Sequence, residues 1–255
     1  MRKHFISELI LSGNNLEVTE FDNIKYFGYK KTTPKVTTRN TPSLEEKEAI
    51  NKKTTTRAIK EVKRLLACNY YTDNRTAKFL TFTFNVNVSK IQSKDRLKLF
   101  HKRLKRNYGY IAKYVGVSEL QQNGNIHLHL VYFGLPIISH EILQNFWSYG
   151  SVNVKKIYNS DNSFRNITKY LFKDKDKNNN SNRYFTSKNN LKRPIIVRND
   201  LVYEKVKHLL KDCYMDYIYT GENEFLGAYT KKSLDLSKLS PYEKKSIETI
   251  LLNSF

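Results

Sequence analysis

Two histidines, His127 and His129, stand one residue apart in the otherwise apolar run NGNIHLHLVYFG, residues 123–134. Side chains alternate along a strand, so both imidazoles fall on one face. Glu119 lies eight residues before the first histidine, and Gly124 occupies the turn between them. A three-residue loop, Gln122 to Gly124, with the glycine in the left-handed conformation, sets Glu119 opposite His127 and Val117 opposite His129. Two imidazoles and a carboxylate then converge on one ion, and Zn, Mn, Mg or Fe(II) all suit such donors. A two-residue loop, Asn123–Gly124, would shift the register and send Glu119 to the other face. Without a metal, the histidines are strand residues making ordinary hydrogen bonds.

The other reactive candidate is Tyr170, in KYLFK, residues 169–173. Tyr170 and Lys173 are three residues apart, so on a helix they share a face. A phenol with its ordinary pKa of about 10 is a weak nucleophile at neutral pH, and a neighbouring cation helps it. The chain has 18 tyrosines, most of which must pack or stack.

The elements that must position these residues follow from hydrophobic periodicity. Residues 1–40 read as irregular, with short strands in NLEVTEF and IKYFGYK. Ser43 can cap a helix that has Glu45 and Glu46 in its first turn and carries Ala58, Val62, Leu65 and Leu66 at helical spacing. KFLTFTFNVNV (78–88) alternates and reads as a strand. SKDRLKLFHKRLKRNYG follows as a helix with Leu97, Phe100 and Leu104 on its apolar stripe and Gly109 as its stop. YIAKYVGVSEL and NIHLHLVYF form the histidine hairpin, SHEILQNFWSYG a short helix ending at Gly150, and SVNVKKIY a fourth strand. SFRNITKYLFKDK is a helix burying Phe164, Ile167 and Leu171.

This order is the β-α-β-β-α-β pattern of ferredoxin-like cores, which predicts an α+β fold around a central antiparallel sheet. Leu120, Ile126, Leu128 and Leu130 suit the core face. The odd-numbered face carries the chemistry, and the next helix must lie over it. Residues 173–183 are polar and basic, and the last fifty read as largely helical. The expected organisation is an accessory segment (1–60), a catalytic domain (61–200) and a helical C-terminal extension (201–255).

Forty-five Lys and Arg against 24 Asp and Glu give a formal charge of +21. Such a surface calls for a polyanionic partner, nucleic acid first and an anionic membrane surface second. No apolar run of about 18 residues is present, which excludes a spanning helix. The absence of a signal-peptide pattern, and two cysteines (Cys68 and Cys213) outside any CxxC spacing, lead us to expect a cytoplasmic location. No GxxxxGK[ST] occurs, so there is no P-loop motor. Arg75, Lys78, Lys169 and Arg183 are candidates for DNA phosphate contact, as are the seven basic residues of KDRLKLFHKRLKRNYG. Tyr184 and Phe185 are candidates for stacking on bases, whereas His4, His101, His140 and His208 read as isolated surface or helix residues.

Taken together, FLTFTF (79–84), ELQQNGNIHLHL (119–130) and YLFK (170–173) resemble the three motifs of HUH endonucleases, named for histidine, bulky apolar residue, histidine. The resemblance covers about residues 60–200 and is nearest to the rolling-circle replication initiators of small plasmids and phages. RYFTSKNNLKRP (183–194) resembles a segment that follows the tyrosine helix in such initiators. It implies metal ligation by His127, His129 and Glu119 (Gln121 being the substitute for Glu119), a nucleophilic Tyr170 and an accompanying Lys173. It implies Mg or Mn as the ion, single-stranded or hairpin origin DNA as substrate, and a host helicase and polymerase as partners; the oligomeric state stays open. Some initiators carry a second tyrosine one helical turn earlier, where this chain has Asn166, so the resemblance is to a single-tyrosine enzyme. A single-tyrosine transposase or mobilisation relaxase is one alternative, although relaxases generally place the histidines after the tyrosine. A non-catalytic basic nucleic-acid-binding module, with sheet aromatics from FLTFTF, is another.

Overall fold

The computed structural model describes residues 3–27, 43–72, 75–120, 124–157, 161–172, 184–188, 191–211, 213–223 and 227–254. The elements are β1 (Lys3–Ser12), β2 (Asn15–Phe27), α1 (Leu44–Asn69), β3 (Tyr71–Thr72), β4 (Arg75–Thr76), β5 (Lys78–Thr83), α2 (Lys90–Tyr108), β6 (Lys113–Leu120), β7 (Ile126–Phe133), α3 (His140–Trp147), β8 (Val152–Lys156), α4 (Asp161–Phe172), β9 (Phe185–Thr186), β10 (Ile195–Val197), α5 (Asp200–Leu209), β11 (Tyr217–Asn223), β12 (Gly227–Asp235) and α6 (Pro241–Leu252). The fold is α+β with two five-stranded antiparallel sheets. Two compact units divide the chain: Pro42–Lys192, and Met1–Thr41 together with Arg193–Phe255. The sequence suggested boundaries near 60 and 200 and three successive segments; in space the two ends join, because β1 pairs with β10 and β2 with β12.

In the unit of residues 42–192, the strands run β8-β5-β7-β6-β9. β5-α2-β6-β7-α3-β8 is the expected β-α-β-β-α-β succession, with β7 inserted between β5 and β6. The sheet is covered on both faces. Its even residues, Leu80, Phe82, Leu128, Leu130 and Tyr132, pack with Leu97, Phe100 and Leu104 of α2 and Leu143 and Trp147 of α3. Its odd residues, Phe79, Val115, Val117, Val131 and Phe133, pack with Ala58, Val62 and Leu66 of α1 and Phe164, Leu171 and Phe172 of α4. The helix that follows the histidine strand, α3, therefore lies on the face opposite the one expected. α4 takes its place, since it is the tyrosine helix that carries the matching apolar stripe.

Local signals set the helix ends. Ser43 and Glu46 close a capping box on α1, and Gly109 ends α2 at φ 62°. α3 stops at Trp147, before Gly150, with Ser148 left-handed at its C-cap. Gly150 serves a different purpose: an added Cβ would stand 2.1 Å from the Thr83 carbonyl oxygen, so only glycine lets this chain pass β5.

In the other unit, the strands run β10-β1-β2-β12-β11, and α5 and α6 bury Tyr203, Val206, Ile247 and Leu251 against Leu9, Leu16, Val18 and Leu234. The expected irregular N-terminus is a long hairpin, and the expected helical C-terminus contains the hairpin β11–β12. A bulge between Phe5 and Ser7 is satisfied from afar: Asp200 accepts from the Ile6 amide at 3.0 Å and the Ser7 amide at 3.1 Å. No helix among the described residues is long and apolar enough to cross a membrane.

Candidate functional site

β7 runs between β6 and β5, and its register fixes the neighbours of each imidazole. His127 pairs across to Glu119 and Thr83, and His129 to Val117 and Thr81. This is the register that a left-handed Gly124 favours, and Gly124 has φ 82°. Gln121 to Asn123 lie outside the described residues.

His129 is 2% exposed and engaged on both ring nitrogens. Its Nε2 lies 2.5 Å from Glu119 Oε2 and its Nδ1 3.1 Å from Thr81 Oγ1. The Phe79 ring runs parallel to it, with centroids 6.0 Å apart and 7° between planes. His127 is half-buried beside it, at 6.1 Å between rings. One donor atom from each of Glu119, His127 and His129 lies within 4.8 Å of the others.

These donors fit a divalent cation. Burial pushes the His127 imidazolium down from its ordinary pKa, with Glu119 pulling the other way, so the neutral, ligating form is favoured at neutral pH. The Thr81 hydroxyl serves either state of His129, because it rotates. It donates to Nδ1 when Nε2–H faces Glu119, and it accepts from Nδ1–H when the Nε2 lone pair faces a cation. Two imidazoles and one carboxylate leave coordination positions open and do not select among Zn, Mn, Mg and Fe(II).

α4 places Tyr170 over this group. Its ring meets His129 edge-on at 5.2 Å and Phe79 edge-on at 5.5 Å, while 48% of the residue remains exposed. Partial burial, then the charge of Glu119, push the phenol up from its ordinary pKa. Both oppose the phenolate, so a nucleophilic role requires positive charge at the site.

The expected site residues thus fall into three groups. His127, His129, Glu119 and Tyr170 come together. Lys169 is exposed on α4 beside Tyr170, and Arg75 is exposed on β4, but Lys78 pairs with Tyr132 and sits on the sheet face away from the histidines. Lys173 and Arg183 lie outside the described residues. Other expected surface groups have structural partners: Tyr184 donates to Glu61 at 2.7 Å, Phe185 packs on Tyr114, His101 meets the Tyr132 hydroxyl at 2.8 Å, and His140 Nε2 lies 2.7 Å from the Val152 carbonyl oxygen. Phe79 and Thr81 join the site without having been expected there. Their signal in the sequence is the alternation in KFLTFT, which puts residues 79, 81 and 83 on one face.

Comparison with known proteins follows the same region. Residues 77–175 match a family model described as a replication-associated protein of the ORF2 type. That span runs from β5 to the end of α4 and includes the histidine pair, Glu119 and Tyr170. The match is consistent with a Rep-type replication protein and implies DNA as the partner. No curated protein matches the chain. Among solved structures, the chain is similar to the hypothetical protein ORF119 from Sulfolobus islandicus rod-shaped virus 1, with 16% identity and a TM-score of 0.34 over 46% of this chain and 92% of that one.

Proposed function

We propose that this chain nicks and rejoins one strand of DNA through a 5′-phosphotyrosine on Tyr170, and so initiates rolling-circle replication. The observation that carries the reading is the convergence of a three-donor group, Glu119, His127 and His129, with an edge-on, half-exposed tyrosine at 5.2 Å. The family match over residues 77–175 supports the replicative role.

In the reaction, the Tyr170 oxygen attacks phosphorus. The new Tyr–O–P bond forms as the P–O3′ bond breaks, and the phenol proton leaves while the 3′ oxygen gains one. The free 3′-OH can prime a polymerase, and its return attack rejoins the strand. Catalysis here is positioning and neutralisation of charge on oxygens. A divalent ion, Mg or Mn, bound by His127, His129 and Glu119 supplies Lewis-acid charge at the phosphate and offsets the Glu119 charge that opposes the phenolate. The protein supplies the rest. Phe79 and the His129 ring hold Tyr170 in place, and Thr81 holds His129. Lys173, three residues on from Tyr170, is the second cation in this scheme. With Asn166 exposed where a second tyrosine would stand, the joining step falls to a water, a second subunit or another side chain.

The binding-module reading loses its main support. Its stacking aromatics would be Phe79, Phe82 and Phe84, and these are 6%, 0% and 2% exposed. The test uses wild type, Tyr170→Phe and a His127→Ala/His129→Ala double variant with labelled single-stranded DNA and Mn. A metal-dependent covalent adduct on a denaturing gel, in wild type only, is expected. Equal DNA binding by all three with no adduct in any overturns the enzyme reading.

A further inference from the structure

β8 is an edge strand, and it crosses the same sheet face as the histidines. Asn153 pairs with Thr81, which pairs with His129; Lys155 pairs with Phe79, the ring that stacks on His129. Both Asn153 and Lys155 are exposed. Lys155 does not extend into solvent away from the sheet: its Nζ lies 6.0 Å from the centroid of the Tyr170 ring. It forms no ion pair among the described residues. On the other face of the same edge, Lys156 stands directly opposite Lys78. Like charges so placed cost stability, and a polyanion lying along the edge relieves that cost.

We propose that β8 is the phosphate track of the site, with Lys155 holding a non-bridging oxygen of the phosphate that Tyr170 attacks and Asn153 contacting the backbone of the next nucleotide. The inference rests on the nicking reading and adds to it. The single strand crosses the open β8 edge, passes between Lys155 and the Tyr170 ring, and reaches the Glu119–His127–His129 group. A lysine suits this position because it offers a compact charge that follows the phosphate as its oxygens gain charge. It acts from the side of the phosphate opposite the histidines, so the phosphate is held from two directions.

The test measures single-turnover adduct formation at saturating DNA, using a random-sequence single-stranded oligonucleotide pool with Mn. The proteins are wild type, Lys155→Gln, Lys155→Arg, Asn153→Ala and Tyr170→Phe. Affinity for the pool and for Mn is measured in parallel. Lys155→Gln should slow the adduct step by about 10- to 100-fold, as loss of a charge-stabilising donor does. Lys155→Arg should stay within a few-fold of wild type, and Mn affinity should not change. If Lys155→Gln reaches the wild-type rate at saturation while Tyr170→Phe forms no adduct, the nicking reading stands and the Lys155 assignment falls. If wild type forms no adduct, both fall.

Discussion

Thr81→Val is the sharpest single perturbation of the metal group, because it removes one hydroxyl and keeps the shape. Thr81 Oγ1 lies 3.1 Å from Nδ1 of a histidine that is 2% exposed, and β5 keeps its β-branched residue after the change. Without metal the effect on stability is small: a hydrogen bond worth about 1 kcal/mol is lost, and a buried methyl offsets part of that. With metal the effect is larger. Loss of an outer partner to a ligating histidine weakens binding by about 10- to 100-fold, or about 1.4–2.8 kcal/mol. The assay is unfolding with and without Mn, at a Mn concentration of about 100 times the wild-type Kd. Linkage gives wild type about 2.7 kcal/mol of added stability there, and the variant only about 0.4–1.4 kcal/mol. Equal Mn stabilisation of wild type and Thr81→Val, with stabilisation lost in Glu119→Ala, would refute the idea that Thr81 orients His129.

Other outcomes follow from the packing. Gly116→Ala puts a Cβ 2.7 Å from Leu130 Cγ and 2.9 Å from the His129 carbonyl oxygen, so it should cost about 1–3 kcal/mol by chemical denaturation and weaken Mn binding by moving β7; an unchanged midpoint contradicts this. Trp147 is fully buried and donates to the Thr83 carbonyl at 2.8 Å, so Trp147→Ala should lose about 3–5 kcal/mol in urea. Burial holds His101 down at a pKa of about 4, against an ordinary 6.5. Its contribution is therefore intact above pH 6.5 and lost as pH falls towards 4, a loss on the order of 3 kcal/mol relative to His101→Gln in pH-dependent denaturation. Parallel curves for the two proteins would place His101 in a solvated setting.

The site is more legible in the sequence than the architecture around it. The β6–β7 hairpin is local: alternation marks its two faces, one glycine marks its turn, and Glu119, His127 and His129 follow from register alone. Tyr170 is legible only through its motif. That α4 covers the histidine face depends on which apolar stripe meets which side of the sheet, a matter of long-range packing. The joining of the two chain ends is not legible, because Leu9 meets Val197 and Val18 meets Lys232 from opposite ends of the chain. β11 and β12 read as helical because lysine, glutamate and tyrosine on both faces hide their period of two. Lys155 escapes sequence reasoning for a related reason. Its motif neighbours are ordinary, and only the pairing of β8 with β5 brings it to Tyr170.

The central claim is that Tyr170 becomes joined to DNA. The direct measurement is mass spectrometry of the tryptic peptides from wild-type protein incubated with single-stranded DNA and Mn, then digested with nuclease. The account predicts a nucleotide-mass addition on the peptide Tyr170-Leu-Phe-Lys173, absent when Mn is chelated. The same addition on another tyrosine, or its persistence without a divalent ion, would contradict it.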